Sequence, residues 1–409
     1  MGRILLLSNG HGEDLSGSLL GSALRALGHE VTALPLAGLG SPYSQAKIPL
    51  LGSSHEFSTG GIGYTSLRGR LTELIQGQFL YLLRRLLRLL RHAHRFDLIV
   101  VVGDVIPVIA AWLTRRPVAT YLVAYSSHYE GQLRLPWPCG PMLSGRHFLA
   151  IFSRDQLTAD DLSEQLARPV QFLGNPFMDP VLAATQPLAH AQQPMAHAQQ
   201  PMAKAQHRIG LLPGSRLPEL EANLQLLLKM SAQLPDNMGI SLELALVSSL
   251  DDKGLNRCAN AVGWQLRRGR LEPQGSPSPA VQVHRGAFQA VLQHSDLVIS
   301  MAGTAAEQAV GLAKPVLQLP GQGPQFTASF AEAQRRLLGP TVFCAPGESG
   351  SPDNLSASAQ LALQLLERID HDRDFQHQCR NEALRRLGES GGGLRMASAI
   401  GDLCPSTAP

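Results

Sequence analysis

Residues 297–325, LVISMAGTAAEQAVGLAKPVLQLPGQGPQ, contain the segment that decides the fold. The apolar run 297–300 is typical of a buried strand, and it leads into a turn of small residues at 302–304. A helix is predicted to follow, with Glu307 in its first turns. Free backbone N–H groups and the positive end of a helix would then point to one place, which suits a phosphate, with a carboxylate close enough for ribose hydroxyls. The segment therefore predicts a nucleotide-binding corner.

The rest of the chain alternates short apolar strands with helices, a pattern typical of parallel sheets covered on both faces. Because 409 residues exceed a single hydrophobic core, we expect an α/β chain of two Rossmann-like domains facing a central cleft. Ligands in such sheets bind beyond the carboxyl ends of the strands. The predicted strands are 4–8, 31–36, 98–102, 118–123, 148–152, 208–212, 241–247, 281–284, 297–300 and 315–319, and the predicted helices are 16–27, 67–94, 107–114, 218–234, 287–293 and 304–313.

A spacer of three tandem heptads, QPLAHAQ, QPMAHAQ and QPMAKAQ, occupies residues 186–206. Histidine recurs only at His190 and His197, and Lys204 replaces the third, so a flexible linker is favoured over a metal-binding tract. The predicted organisation is therefore an N-terminal Rossmann-like domain over 1–180, a linker over 181–207, a nucleotide-binding domain over 208–385 and a C-terminal segment over 386–409.

Composition excludes several classes of protein. Hydrophobic residues make up 44% of the chain, charged residues 16%, and the net charge of +3 is not arranged as a nucleic-acid footprint. The five cysteines are scattered without CxxC spacing, which argues against a zinc site and fits a reducing cytoplasm. The first apolar run is too short for a signal peptide, and no apolar stretch is long enough to span a membrane.

Polar residues follow two of the N-terminal strands. In the loop predicted over residues 8–17, His11, Glu13 and Asp14 are candidates for proton transfer. Asp104 follows the strand 98–102, where it could serve in catalysis or cap the next helix.

Two further segments favour phosphate and sugar binding. Arg216 follows a strand and a tight Pro-Gly turn, and its fork of donors suits phosphate oxygens, although an ion pair with Glu219 or Glu221 is the alternative. Gln322 and Gln325 could bond sugar hydroxyls through their amides, or face water.

Four motifs together resemble lipid-A-disaccharide synthase and its relatives, above all the branch described as lipid-A-disaccharide synthase-related. They are LLPGSR at 211–216, GTAAEQAVGLAKPV at 303–316, GNPFMDPV at 174–181, and GEDLSG at 12–17, which is similar to the family's GExSGD loop. The muramyl-precursor N-acetylglucosaminyltransferase is a more distant likeness. The resemblance implies a GT-B fold, a UDP-sugar donor as substrate, and no metal or other cofactor.

The resemblance also implies roles for individual residues. Asp104 lies where the family places its candidate base, and His11 and Glu13 compete for that role. The chain departs from the family on this side, with 105–108 reading VIPV in place of Pro-Asp-Phe-Asn and 175–176 reading Asn-Pro in place of His-Pro. The implied donor-binding residues are Gly214, Ser215 and Arg216 at the diphosphate, Gly303 and Thr304 at the helix end, Glu307 at the ribose, and Gln322 and Gln325 at the donor sugar.

Residues 79–95 form a basic, leucine-rich segment. Arginines recur at helical spacing at 84, 88, 91 and 95, and no acid occurs between Glu73 and Asp97. Such a helix could lie peripherally on the cytoplasmic face of an anionic membrane, or it could be an ordinary domain helix with solvated arginines.

The sequence as a whole favours an inverting UDP-sugar-dependent glycosyltransferase acting on a lipid-linked or amphipathic acceptor. The alternatives are an isomerase of the UDP-N-acetylglucosamine 2-epimerase type and a nucleotide-sugar-binding protein that has lost catalysis.

Overall fold

The computed structural model describes residues 1–52, 78–129, 131–183, 188, 206–217, 219–275, 278–321 and 328–405. The chain forms two compact units, one made of Met1–Asp179 with Arg385–Pro409 and the other of Pro180–Leu384. Most of the heptad repeats lie outside the described residues, as do Gln322 and Gln325.

The first unit is built on a five-stranded parallel sheet of order β2-β1-β3-β4-β5. Its strands are β1 (Arg3–Ser8), β2 (Glu30–Pro35), β3 (Leu98–Val102), β4 (Val118–Leu122) and β5 (Phe148–Ser153), and its helices are α1 (His11–Ala26), α2 (Ser41–Gln45), α3 (Gln78–His92), α4 (Val105–Leu113), α5 (Cys139–Leu143), α6 (Gln156–Leu166) and α15 (Gly392–Gly401). A short helix, α7 (Asp179–Leu182), follows a 3-10 turn at Pro176–Met178.

Helices cover both faces of this sheet. Along β1, Leu5 and Leu7 point to the face covered by α3, α4, α5 and α6, whereas Ile4 and Leu6 point to the face covered by α1, α2 and α15. Alternate side chains of the strand are therefore buried in two different cores, one on each face of the sheet. This explains why the strand residues are all apolar and do not alternate with polar ones.

Helix α1 begins at His11 and not near residue 16, so the predicted loop over residues 8–17 is mostly helix. Glu13 and Asp14 fall in its first turn, where the helix dipole favours carboxylates. The early start also places both carboxyl groups next to the end of β1.

The second unit contains an eight-stranded sheet of order β13-β12-β11-β6-β7-β10-β9-β8. Its strands are β6 (His207–Leu212), β7 (Ile240–Leu246), β8 (Trp264–Arg267), β9 (Arg270–Pro273), β10 (Val281–Arg285), β11 (Leu297–Ser300), β12 (Val316–Gln318) and β13 (Val342–Cys344), and its helices are α8 (Glu219–Ser231), α9 (Asp252–Asn260), α10 (Phe288–His294), α11 (Gly303–Gly311), α12 (Ala328–Leu338), α13 (Pro352–His371) and α14 (Arg373–Leu387), the last of which ends beyond Leu384.

Six strands of this sheet are parallel, but β8 and β9 form an antiparallel hairpin at its edge, which the sequence analysis did not predict. Arg268 and Gly269 both have positive φ values, of 50° and 78°, as a two-residue hairpin turn with right-handed strand twist requires.

Candidate active site

In the first unit, β1 and β3 are neighbours while the chain continues to opposite sides of the sheet, to β2 from one strand and to β4 from the other. The carboxyl ends of such a pair border a crevice where open α/β sheets bind ligands. Ser8 pairs with Val102 in this register, so Asn9 and Asp104 follow the two strands at the same edge.

Asn9 and Asp104 are hydrogen-bonded at this edge. The Asn9 amide Nδ2 donates to both carboxylate oxygens of Asp104, at 3.1 and 3.3 Å, and the backbone N–H of Ile106 donates to Asp104 Oδ1 at 2.9 Å. Asp104 therefore caps α4, as one of its two interpretations predicts, and its role in catalysis stays a prediction. Asn9 is 4% exposed, and its Oδ1 has no hydrogen-bond partner among the described residues.

Glu13 lies between the loops that follow β1 and β3. A Cβ added to Gly10 would lie 2.5 Å from Glu13 Oε2, and one added to Gly103 would lie 3.3 Å from Glu13 Cγ. Burial, with the nearby charge of Asp104, raises the pKa of Glu13, and burial also raises the pKa of Asp104. Two carboxyl groups whose pKa values move toward neutrality are suited to accepting a proton from a substrate hydroxyl.

His11, the third candidate base, is the first residue of α1, and its side chain lies outside what the structure describes.

A buried group of three side chains supports the start of α1. Ser8 Oγ donates to Asp14 Oδ1 at 2.6 Å, and Tyr43 Oη donates to Ser8 Oγ at 2.9 Å. Burial raises the pKa of Asp14 to about 7 and raises the pKa of Tyr43 as well. Asp14 therefore holds the helix that carries Glu13, and its burial separates it from the crevice-facing acids.

Tyr125, in the loop that follows β4, also lies beside Asp104, and no sequence motif indicated it. Its Oη accepts a hydrogen bond from the backbone N–H of Val105 at 3.1 Å. Burial and the neighbouring charge of Asp104 raise the pKa of Tyr125, so its hydroxyl stays neutral beside the acidic groups. Only the sheet order, with β4 next to β3, reveals this neighbour.

In the second unit the equivalent crevice lies between β6 and β11, because the chain runs from β6 toward β7 and from β11 toward β12 on the other side. Leu212 pairs with Ser300, and the N–H of Met301 donates to the carbonyl of Leu212 at 2.9 Å. Gly214 has φ of +97°, and a Cβ added to it would lie 3.6 Å from the carbonyl of Met301. The turn before Arg216 and the turn before α11 therefore meet, as ligand binding at both segments requires.

Helix α11 begins at this crevice without a side-chain cap. The residue at its N-cap is Ala302, whose side chain cannot cap the first N–H groups of the helix, at Gly303 and Thr304. Thr304 is exposed and Gly303 is half-buried. Uncapped N–H groups and the helix dipole make this end suited to an anion.

Arg216 is exposed at the same edge, next to the exposed Ser215, and its guanidinium has no partner among the described residues. Neither alternative ion pair, with Glu219 or with Glu221, is present among the described residues, and Glu221 bonds Arg257 at 2.7 Å. Buried Asn223 holds the turn by donating from Nδ2 to the carbonyl of Pro213 at 2.9 Å.

Two other polar side chains belong to this region. Glu307 is half-buried in α11, and Gln318 ends β12 beside Ser300. Gln318 is fully buried, and neither its Nε2 nor its Oε1 has a hydrogen-bond partner among the described residues. In all the described residues, no three side chains of His, Cys, Asp or Glu are grouped so as to hold a metal ion.

No family model and no curated protein matches the chain. Solved structures do resemble it along its whole length. They include CalG4, the calicheamicin glycosyltransferase, with 17% identity, a TM-score of 0.59 and complete coverage of both chains. MnaA of S. aureus, in a structure with UDP, has 15% identity and a TM-score of 0.57, with 98% of this chain and 96% of that chain covered.

A UDP-N-acetylglucosamine 2-epimerase from Listeria monocytogenes, itself described as unconfirmed, has 15% identity and a TM-score of 0.56, with 99% and 97% of the two chains covered. At these identities the likeness concerns the fold alone. The chain has the GT-B fold, with two Rossmann-like domains.

Proposed function

We propose that this protein is an inverting glycosyltransferase that takes a sugar from a UDP-sugar and transfers it to a lipid-linked or amphipathic acceptor, in the manner of lipid-A-disaccharide synthase. The observation that carries the proposal is the meeting of the Arg216 turn with the uncapped start of α11 at the crevice between β6 and β11. This pairing of an exposed guanidinium with a helix N-terminus suits a diphosphate.

The donor would be held by the second unit. Arg216, with the backbone of Gly214 and Ser215, binds the diphosphate from one turn, and the N–H groups of Gly303 and Thr304 bind it from the other. Glu307, on the same helix, accepts hydrogen bonds from the ribose hydroxyls, and Gln322 and Gln325 bond the donor sugar. The positive groups then stabilise the charge that develops on UDP as it leaves.

In the transfer step a base removes the proton from the acceptor hydroxyl, and that oxygen forms a bond to the anomeric carbon. The bond from the anomeric carbon to the phosphate oxygen breaks, and its electron pair leaves with UDP. Asp104, Glu13 and His11 are the candidates for the base. Asn9 orients the Asp104 carboxylate, and its Oδ1, which has no partner among the described residues, can accept a hydrogen bond from the acceptor.

The test is a donor screen with purified protein and a lipid extract, measured as released UDP. We expect release from one UDP-sugar that depends on the extract, and we expect UDP to raise the melting temperature by mass action. A wild-type protein whose melting temperature does not move at millimolar UDP would show that the donor assignment is wrong. Asp104→Asn, Glu13→Gln and His11→Asn, compared at saturating donor, then identify the base by the largest loss of turnover.

An isomerase of the UDP-N-acetylglucosamine 2-epimerase type is the second candidate, supported by the full-length likeness to such enzymes. Epimerisation needs no acceptor. Formation of the C2 epimer from UDP-N-acetylglucosamine alone, followed by NMR, would favour the isomerase over the transferase.

A further inference from the structure

Helix α3 has two different apolar faces. On the inner face, Leu89 is fully buried and Leu82 and Leu86 pack partly buried against the core of the first unit. On the other face lies the outer leucine stripe, which we define as Leu80, Leu83, Leu87 and Leu90, with exposed fractions of 50%, 40%, 57% and 42%. Their spacing of three, four and three residues places the four side chains along one line of the helix.

The orientation of α3 is fixed by an arginine on its inner side. Arg85 is 2% exposed, donates from Nε to Tyr81 Oη at 3.0 Å, and lies over the Tyr81 ring at 5.1 Å. A second donor, Arg85 Nη1, reaches the carbonyl of Leu51 at 3.4 Å. Because this arginine points inward, the helix is held in the rotation that leaves the leucine stripe exposed.

The exposed charges on α3 and just beyond it have one sign. Arg84 and Arg91 are exposed on α3, and Arg95 is exposed just beyond it. The sequence contains no acid from residue 74 to residue 96, and the next acid, Asp97, is bonded to Arg3. An occupant of this face therefore has to accept apolar side chains and neutralise positive charge.

We propose that the outer leucine stripe is a docking face for an anionic lipid bilayer, with Leu80, Leu83, Leu87 and Leu90 among the acyl chains and Arg84 and Arg91 at the lipid phosphates. The inference deepens the proposed function, on which it rests for its purpose, since a lipid-linked acceptor has to be met at a membrane. Charge complementarity favours the bilayer over a second copy of this chain, because two such helices would oppose arginines with arginines and offer no acid between residues 74 and 96.

A helix of this type lies in the plane of the interface. No helix in the described part of the chain is both long and apolar enough to cross a bilayer. The attraction of arginines to anionic lipid falls off within a Debye length, so binding should weaken as salt rises.

The test is co-sedimentation of the full chain with vesicles of phosphatidylcholine, with and without phosphatidylglycerol. We expect binding that requires phosphatidylglycerol and decreases with salt. The double variant Leu80→Ser/Leu87→Ser should weaken binding roughly tenfold, and Arg84→Gln/Arg91→Gln should weaken it about 25-fold, from roughly fivefold for each arginine.

Matched controls are available on helices elsewhere in the chain. Leu384 and Leu394 are exposed by 51% and 54%, and Arg373 and Arg380 are also exposed, so Leu384→Ser/Leu394→Ser and Arg373→Gln/Arg380→Gln should bind as the wild type does.

Absence of vesicle binding, or equal losses in the stripe variants and in the controls, would overturn the proposal. A different result would also overturn it: light scattering shows a dimer that dissociates in Leu80→Ser/Leu87→Ser, and the protein does not bind vesicles. The occupant of the stripe would then be a second copy of this chain. The melting-temperature shift with UDP is measured on the same samples. If the wild type does not bind vesicles but its melting temperature rises with UDP, only the membrane inference is contradicted. If it binds vesicles but its melting temperature does not rise with UDP, only the donor assignment is contradicted.

Discussion

Asp179 holds the start of the C-terminal helix α15 in the first unit. Its Oδ1 accepts from the backbone N–H groups of Gly391 and Gly392 at 2.8 and 3.0 Å, and its Oδ2 accepts from that of Gly393 at 2.8 Å. Gly391 occupies the N-cap with φ of +86° and has no side chain to cap the helix. A carboxylate more than 200 residues away in sequence therefore caps the N-terminus of this helix.

Replacing Asp179 by alanine should be costly because the three donors lose their acceptor together. Gly392 and Gly393 are buried, and an unsatisfied buried N–H costs about 1–3 kcal/mol. Since Asp179 and Gly391 are only half-buried and water can reach that part of the group, we expect Asp179→Ala to lower the free energy of unfolding by about 3 kcal/mol. Asp179→Asn keeps one carbonyl oxygen for two donors and should lose about half as much.

The assay is urea denaturation combined with amide hydrogen exchange, because the two units need not unfold together. Exchange should accelerate across α15, whose Met396, Ala397 and Ile400 are buried in the core shared with α1. The control is Asp402→Ala, an exposed carboxylate at the other end of the same helix. A change of less than about 0.5 kcal/mol for Asp179→Ala, with exchange in α15 as slow as in the wild type, would refute the reasoning.

Three further results are expected. Arg216→Ala should leave the melting temperature of the free protein unchanged, because the side chain is exposed, and should remove most of the rise that UDP produces in a thermal-shift assay. The folded chain keeps a proton on Asp14 up to about pH 7, whereas the unfolded chain loses it near pH 3.8. The free energy of unfolding should therefore fall as pH rises between these values, by at most about 4 kcal/mol. In Asp14→Asn the difference in stability between pH 5 and pH 8, measured by denaturation, should be smaller than in the wild type. Gly10→Ala should displace the Glu13 carboxylate and lower acceptor-dependent UDP release about tenfold or more, whereas Gly12→Ala, whose added Cβ meets no atom within 4 Å, should not.

The sequence predicts the central strands well because they are buried on both faces. The predicted strands 98–102 and 297–300 coincide with β3 and β11, whose residues are all buried. A continuous apolar run of this length is a clear signal whatever surrounds it.

The sequence predicts too late a start for α1 because the first residues of this helix, His11 and Gly12, are weak helix formers. Tertiary contacts override that propensity, since Asp14 is hydrogen-bonded to Ser8 and the Ser8 hydroxyl is in turn bonded by Tyr43. The sequence does not predict the hairpin at Arg268 and Gly269 for a different reason, which is that its short strands, WQLR and RLEP, contain no continuous apolar run.

The two crevices differ in how far sequence alone can describe them. At the β11 crevice the strand, the turn and the uncapped helix lie within fifteen consecutive residues, from Leu297 to Gly311, so local pattern is enough to propose an anion site. At the β1 crevice the decisive contact joins Asn9 to Asp104, which are 95 residues apart, and it exists only because β1 pairs with β3. The sheet order brings the two strand ends together, but the amide that binds the carboxylate and the hydroxyl of Tyr125 beside it are visible only in the folded chain. Local sequence is therefore enough to propose the anion site at β11, whereas the contacts around Asp104 are found only in the folded chain.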